Sequence, residues 1–255
     1  MALPCGRCAL RLASGSTYEG FMAAREVRSR PDCPACLGLL DHESYIDKVV
    51  AEVKAGQYEF EDYRLTVAVP ASLFLRQHWL QSQAKATLCA DVKDVLKWGL
   101  SYDLARRLDK PFSPASPFLI QLSFLSPQAD QDLYQFKSLI PGLIINERKT
   151  KKNTPDEFSL RAMQESLKHT PDAWISALSH YEPQTCPVDL QVTLSMQPVF
   201  LAGSYMKYSR RLSQSPWLIE GEDKPMSSVQ EILGEPLKAA FACESYTLHG
   251  SVSCT

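Results

Sequence analysis

The sequence predicts an α+β fold in two domains with a metal-tied N-terminus, and three observations carry that prediction. Two Cys-x-x-Cys doublets stand 24 residues apart near the start of the chain. An apolar stretch with a period of two lies at 60–69, the mark of a half-buried strand, and a second strand is read at 118–125. Elsewhere apolar residues recur at helical spacing, as at Ile46, Val49, Val50 and Val53. A chain of 255 residues can bury two cores of ordinary size, and 45% apolar with 22% charged residues is the balance of a folded protein. The formal net charge of −2 removes bulk attraction to nucleic acid, so any such contact must come from a local patch. No run approaches the roughly 18 apolar residues of a membrane helix, and Met-Ala-Leu-Pro-Cys-Gly-Arg-Cys lacks a signal-peptide core. A soluble intracellular chain without a membrane partner is expected, in which thiols stay reduced and paired cysteines hold metal more often than they form disulfides.

Cys5-Gly-Arg-Cys8 and Cys33-Pro-Ala-Cys36 are the strongest spacing in the chain. Two residues between cysteines let both thiolates of a knuckle face one ion, and two knuckles supply the four ligands of a closed, structural zinc site. The alternatives are four buried cysteines or a single redox pair. The interval from Ala9 to Asp32 carries Arg11, Arg25, Arg28 and Arg30 and reads as a solvated basic loop with one helical turn near Met22. Four cysteines already fill a metal site, so His42 reads as a surface histidine.

Downstream, 41–53 forms an amphipathic helix ended by Gly56, and 60–69 a strand with Tyr63, Leu65, Val67 and Val69 on one side. Segments 72–89 and 91–108 are helical, the second with Val92, Val95, Leu96, Leu100 and Leu104 on its inner face. After a Pro-rich connector come a strand at 118–125 and a helix at 130–139, with Tyr134, Phe136 and Ile140 as core candidates. Glu147 to Lys152 is a charge run with four cations in six residues, read as a solvated loop with phosphate contact as the alternative. Short helices are expected at 158–167 and at 172–178, where Pro171 stands at the start. Prolines between 183 and 187 place a domain boundary at 185/186, and 188–196 with 199–201 reads as a two-stranded hairpin around Gln197-Pro198. Ser227, Ser228, Gln230 and Glu231 offer overlapping capping boxes for a helix, which Pro236 restarts as a second short one.

Phe200 to Gly221 combines aromatic residues (Tyr205, Tyr208, Trp217) with cations (Lys207, Arg210, Arg211), a mixture that grips a polyanion carrying stackable rings. Tyr205, Lys207, Tyr208, Arg210 and Arg211 are the candidate RNA-binding residues. The run Ala202 to Arg210, then Pro216 to Gly221 and Ser227 to Glu231, resembles the signature of the archaeal and eukaryotic tRNA pseudouridine synthase 10 family. The resemblance extends to the paired knuckles and the Cys-x-x-Cys-Leu-Gly step at Cys33 to Gly38.

That resemblance implies a zinc-bearing, THUMP-containing RNA-binding module over 1–185 and the N-terminal part of a pseudouridine synthase catalytic domain over 186–255. It implies an isomerase that converts uridine to pseudouridine in the TΨC arm of tRNA, with microRNA precursors as further RNA partners, acting as a monomer in nucleus and cytoplasm. The family's chemistry rests on an aspartate in a Gly-Arg-Glu-Asp-x-Asp-Val-Arg type motif. No such motif occurs here: after Glu244-Ser245-Tyr246 the chain reads Thr-Leu-His-Gly-Ser-Val-Ser-Cys-Thr. No catalytic residue is therefore assigned, Glu220, Glu222 and Asp223 read as solvated turn acids, and a C-terminally truncated, inactive form that retains RNA binding is expected. The competing reading is a zinc-stabilised protein-interaction module. No GxSxG, Walker A loop or HExxH offers rival chemistry, and Cys89, Cys186, Cys243 and Cys254 read as isolated thiols.

Overall fold

Alternation of side chains places a small sheet at the centre of the first unit. Strands β1 (Arg64–Ala68), β2 (Phe118–Leu125) and β3 (Asp189–Met196) lie in the order β1-β2-β3. In β2, Phe118, Ile120, Leu122 and Phe124 are buried while Gln121 and Leu125 face out, so one face of the sheet is apolar. The register continues that face across the sheet: Leu65 and Val67 stand beside Ile120 and Leu122, and Leu194 and Val192 flank the same pair from β3. β1 runs parallel to β2 and β3 antiparallel to it. The computed structural model describes residues 4–12, 17–24, 26–139, 160–216 and 227–250.

A parallel pair requires a long crossover. Here it is made by α4 (Ser72–Ala84) and α5 (Val92–Leu108). α5 starts where Asp91 caps the Lys93 N–H at 2.7 Å, and its five predicted inner residues are all buried. α4 is shorter than the helix expected to Cys89: Lys85 turns left-handed and Ala86 N donates back to Gln81 O at 2.9 Å. α3 (Ile46–Ala55) packs on α5 and β3 with Ile46, Val49 and Val53 buried. A second layer, α6 (Pro127–Leu139), α7 (Leu160–His169) and α8 (Pro171–Ser179), gathers around fully buried Trp174. Phe136 and Phe74 lie 4.9 and 6.1 Å from its ring, and its Nε1 donates to Ser166 Oγ. Of the other core candidates in α6, Tyr134 is exposed, because it falls on the opposite side of the helix from Phe136, and Ile140 lies outside the described residues.

The chain divides into two units, Met1–Pro198 and Val199–Thr255, later than the expected boundary at 185/186. The cause is β3, which joins the first unit's sheet along its whole length. The expected hairpin with 199–201 does not form. Gln197 N donates to Pro117 O at 2.9 Å, extending the β3 pairing where a turn would have to begin, and 199–201 has no regular structure. In the second unit, α9 (Val229–Phe241) opens with the capping box at Ser228 and Glu231, whose Oε2 accepts from Ser228 N at 2.7 Å. Pro236 does not restart the helix. It lies within it on the exposed side, removing one backbone N–H without forcing a break.

Candidate metal centre

The first knuckle is helical, which the sequence reading missed. Cys5 is the N-cap of α1 (Gly6–Arg11), so Cys8 falls one turn further along and both sulfurs face the same way. Gly6 is required between them, since a Cβ there would sit 2.4 Å from Val27 Cγ1 and 2.9 Å from Arg28 O. In the basic interval from Ala9 to Asp32 the helical turn expected near Met22 is α2 (Tyr18–Ala23), capped by Thr17 and burying Phe21. The second knuckle lies in a series of turns that bends back through Leu37 (φ 54°) and Gly38 (φ 74°). A side chain at Gly38 would meet Pro31 O at 2.4 Å, which accounts for the glycine after Cys-x-x-Cys-Leu.

These two segments bring the four predicted ligands together. All four Sγ atoms lie within 4.8 Å of one another and all four residues are buried. Tetrahedral coordination with metal–sulfur bonds of ~2.3 Å has sulfur–sulfur edges of ~3.8 Å. The Cys5–Cys36 and Cys8–Cys33 separations are both 3.9 Å, and all four cysteines are free. The cluster has the size of a tetrathiolate cage and is far wider than the ~2.05 Å of a disulfide.

Sharing of protons fits the same picture. Hydrogen bonds from Cys33 and then Cys36 hold the Cys5 thiol far below its ordinary range, and Cys36 draws Cys33 down to about 7. Their neighbours, first of all Cys33, push Cys8 and Cys36 well up, with burial adding to it. Four crowded sulfurs do not all ionise by themselves; a bound dication would remove the remaining protons. With every position taken by sulfur the cage would leave no place for water, so it can hold a structural ion and offers no Lewis-acid site.

Three buried arginines surround the cluster. Arg7 bonds Val27 O at 3.2 Å, Leu40 O, and Glu43 at 2.5 Å, tying the first knuckle to the end of the second. Burial raises the Glu43 carboxyl, but the Arg7 hydrogen bond, with the nearby charges of His42 and Arg7, leaves it below its ordinary value. Arg76 of α4 reaches Pro34 O, between two ligands, at 2.6 Å, and Gln184 O at 2.8 Å. Arg11, expected in a solvated loop, is fully buried and lies 3.6 Å from Cys8 Sγ. His42 is not a surface residue either. It is buried, with Nδ1 2.9 Å from Asp103 Oδ2, and a Cβ at Gly99 would meet its Nε2 at 2.5 Å. The only sequence signal for Arg11 is its position, three residues after Cys8 and so one turn along the same helix.

The predicted RNA-binding residues lie apart from this cluster in sequence and belong to the second unit. Tyr205, Lys207, Tyr208, Arg210 and Arg211 are all exposed, Tyr208 to 88%, in a segment without helix or strand. Tyr205 OH bonds Gln214 Oε1 at 2.6 Å. Phe200, Leu201 and Met206 are exposed in the same stretch. Trp217, Glu220, Glu222, Asp223 and the charge run Glu147 to Lys152 lie outside the described residues.

The family model described as "Eukaryotic Pus10, N-terminal" matches residues 33–197, and "Pus10, C-terminal" matches 200–252. The chain belongs to the Pus10 family. The boundary between the structural units, 198/199, falls in the gap between the two Pus10 matches. "tRNA pseudouridine synthase Pus10" of Xenopus laevis is 30% identical over 237 residues, covering 86% of this chain and 45% of that protein. The protein of the same name from Homo sapiens is also 30% identical over 237 residues, covering 86% of this chain and 44% of its own. That of Picrophilus torridus is 38% identical over 60 residues, 24% of this chain and 15% of that one. The chain spans about half the length of the curated vertebrate Pus10 proteins it matches. Cys33 and Cys36 lie inside the N-terminal Pus10 match and Cys5 and Cys8 before it.

Proposed function

We propose that this chain recognises tRNA as part of a uridine-to-pseudouridine isomerase, and that Cys5, Cys8, Cys33 and Cys36 hold a structural zinc ion. The observation that carries the reading is the match to the N-terminal and C-terminal Pus10 models side by side, with relatives named tRNA pseudouridine synthases. Zinc suits the site because a closed, tetrahedral four-sulfur cage is its characteristic structural environment. Such a cage can contribute on the order of 10 kcal/mol to folding.

In this reading the first unit is the THUMP-containing RNA-binding module and the second the opening part of the catalytic domain. Lys207, Arg210 and Arg211 meet phosphates, and Tyr205 and Tyr208 offer ring faces to unpaired bases. The favoured target is the TΨC arm of tRNA, with microRNA precursors as a second class of RNA, bound by a monomer in nucleus and cytoplasm. The family's aspartate motif has no match in the 255 residues, so these residues hold RNA and do not isomerise uridine by themselves.

The test is a shift assay with tRNA across a salt series on protein whose zinc has been measured. One zinc per chain and affinity falling steeply with salt are expected, because neutralised phosphates release counterions. Zinc-bound protein that ignores tRNA at every salt concentration would point instead to a protein-interaction module.

A further inference from the structure

Arg11 is buried with only part of its charge accounted for. Its Nε donates to Ala90 O at 2.9 Å and its Nη2 to Gln77 Oε1 at 2.6 Å, both neutral acceptors. Among the described residues no carboxylate pairs with it, whereas Arg7 has Glu43. Its remaining nitrogen, Nη1, faces Cys8 Sγ at 3.6 Å, and the Cys89 thiol, pushed up by burial, is a further neutral neighbour of the guanidinium. A guanidinium taken out of water needs an opposite charge close by. Four thiolates around a dication carry two net negative charges, which in a buried site need a cation in turn.

We propose that Arg11 is the counter-ion of the metal-loaded cysteine cluster and links the metal to α4 and α5; the inference rests on the zinc reading above. The geometry gives the link a direction. Arg11 reaches α4 through Gln77, and it meets Ala90, next to the N-cap of α5, twice: through Nε, and through its own carbonyl, which accepts from Ala90 N at 2.9 Å. Charge at the cage therefore fixes the first knuckle against the two helices that connect β1 to β2. Metal loss would remove the ion that holds the two knuckles, and with them Cys8, against the guanidinium, and the three-way contact would lose its anchor.

The test compares Arg11→Gln, which keeps hydrogen-bonding capacity without charge, with Arg11→Lys, which keeps the charge. Zinc affinity is read by competition with a chromophoric chelator. Arg11→Gln is expected to weaken zinc binding about 10- to 100-fold, the usual effect of removing a group that supports a ligand, and Arg11→Lys to stay close to wild type. In cobalt-loaded Arg11→Gln the sulfur-to-cobalt charge-transfer band should move to lower energy, because a thiolate that loses a cation becomes more electron-rich. Wild-type affinity in Arg11→Gln, or equal weakening in both variants, would overturn the proposal. If Arg11→Gln does not fold, wild-type protein decides by hydrogen exchange. Chelation should abolish protection of the Ala90 amide, and protection kept in metal-free protein would overturn the link. Wild-type protein that binds no zinc at all removes the metal reading itself, a separate result.

Discussion

Replacing Cys8 with serine takes one sulfur from a fully buried cage and leaves three. What depends on the cage can be gauged from the side chains it holds in place: Phe21 of α2, between the knuckles, and Leu37, Leu39 and Leu40, directly after the second, are all buried. At ~1.5–3 kcal/mol for each buried side chain, about 6–12 kcal/mol of burial relies on these segments staying closed, against ~5–15 kcal/mol for a whole domain. A loss of even ~5 kcal/mol, at ~2–4 °C per kcal/mol for a chain of this size, lowers the melting temperature by about 10–20 °C. Differential scanning calorimetry with zinc analysis is the assay. Cys8→Ser should retain much less than one zinc per chain, the transition of the first unit should drop by that amount, and proteolysis should begin between residues 6 and 40. Full zinc content with a melting temperature within about 1 °C of wild type would refute the tetrathiolate cage.

Changing Lys207, Arg210 and Arg211 together to alanine should weaken tRNA binding and flatten the plot of log affinity against log salt by ~2–3, at up to ~0.9 per lost phosphate contact; an unchanged slope removes them from the interface. The Asp103 carboxyl is held below its ordinary value, first by the hydrogen bond from His42. A depressed carboxyl stabilises the fold above its unfolded value of ~3.9, and that contribution is lost as pH falls through the folded value. Asp103→Asn should thus lower stability at neutral pH and lose less than wild type on acidification, measured by urea midpoints at pH 7 and below 4; parallel curves would contradict it. Ser228→Ala should cost α9 ~1 kcal/mol and speed amide exchange at Glu231, whose N–H bonds Ser228 Oγ at 3.2 Å.

The elements that were readable in the sequence are those whose pattern is set by burial. β2 has the predicted bounds, its apolar run beginning directly after Pro117 and ending before Ser126-Pro127, and the inner stripe of α5 is buried residue for residue. The four cysteines were readable because two residues between cysteines is the spacing of a metal knuckle. Arg11 and His42 were misjudged for one reason: side-chain type gives an average exposure, whereas both are buried by partners distant in sequence, Gln77 and Ala90 for one and Asp103 for the other. The hairpin at 188–201 was misread because strand-like composition does not say which neighbour a strand will choose; β3 pairs with β2. For Tyr205 to Arg211 the structure adds exposure and a backbone without helix or strand, and their contact with RNA is a proposal.

Among the described residues the sheet contains no hairpin, and this has a kinetic consequence. β1 and β2 are separated by about fifty residues and β2 and β3 by more than sixty, so each pairing closes a long loop before it gains any contacts. The two cysteine doublets enclose a much shorter loop, and the proposed zinc would give it its own source of free energy. With that ion bound, folding of the first unit should begin at the cysteine cluster and finish at the strands, and a cell short of zinc would collect chains whose strand edges are still open.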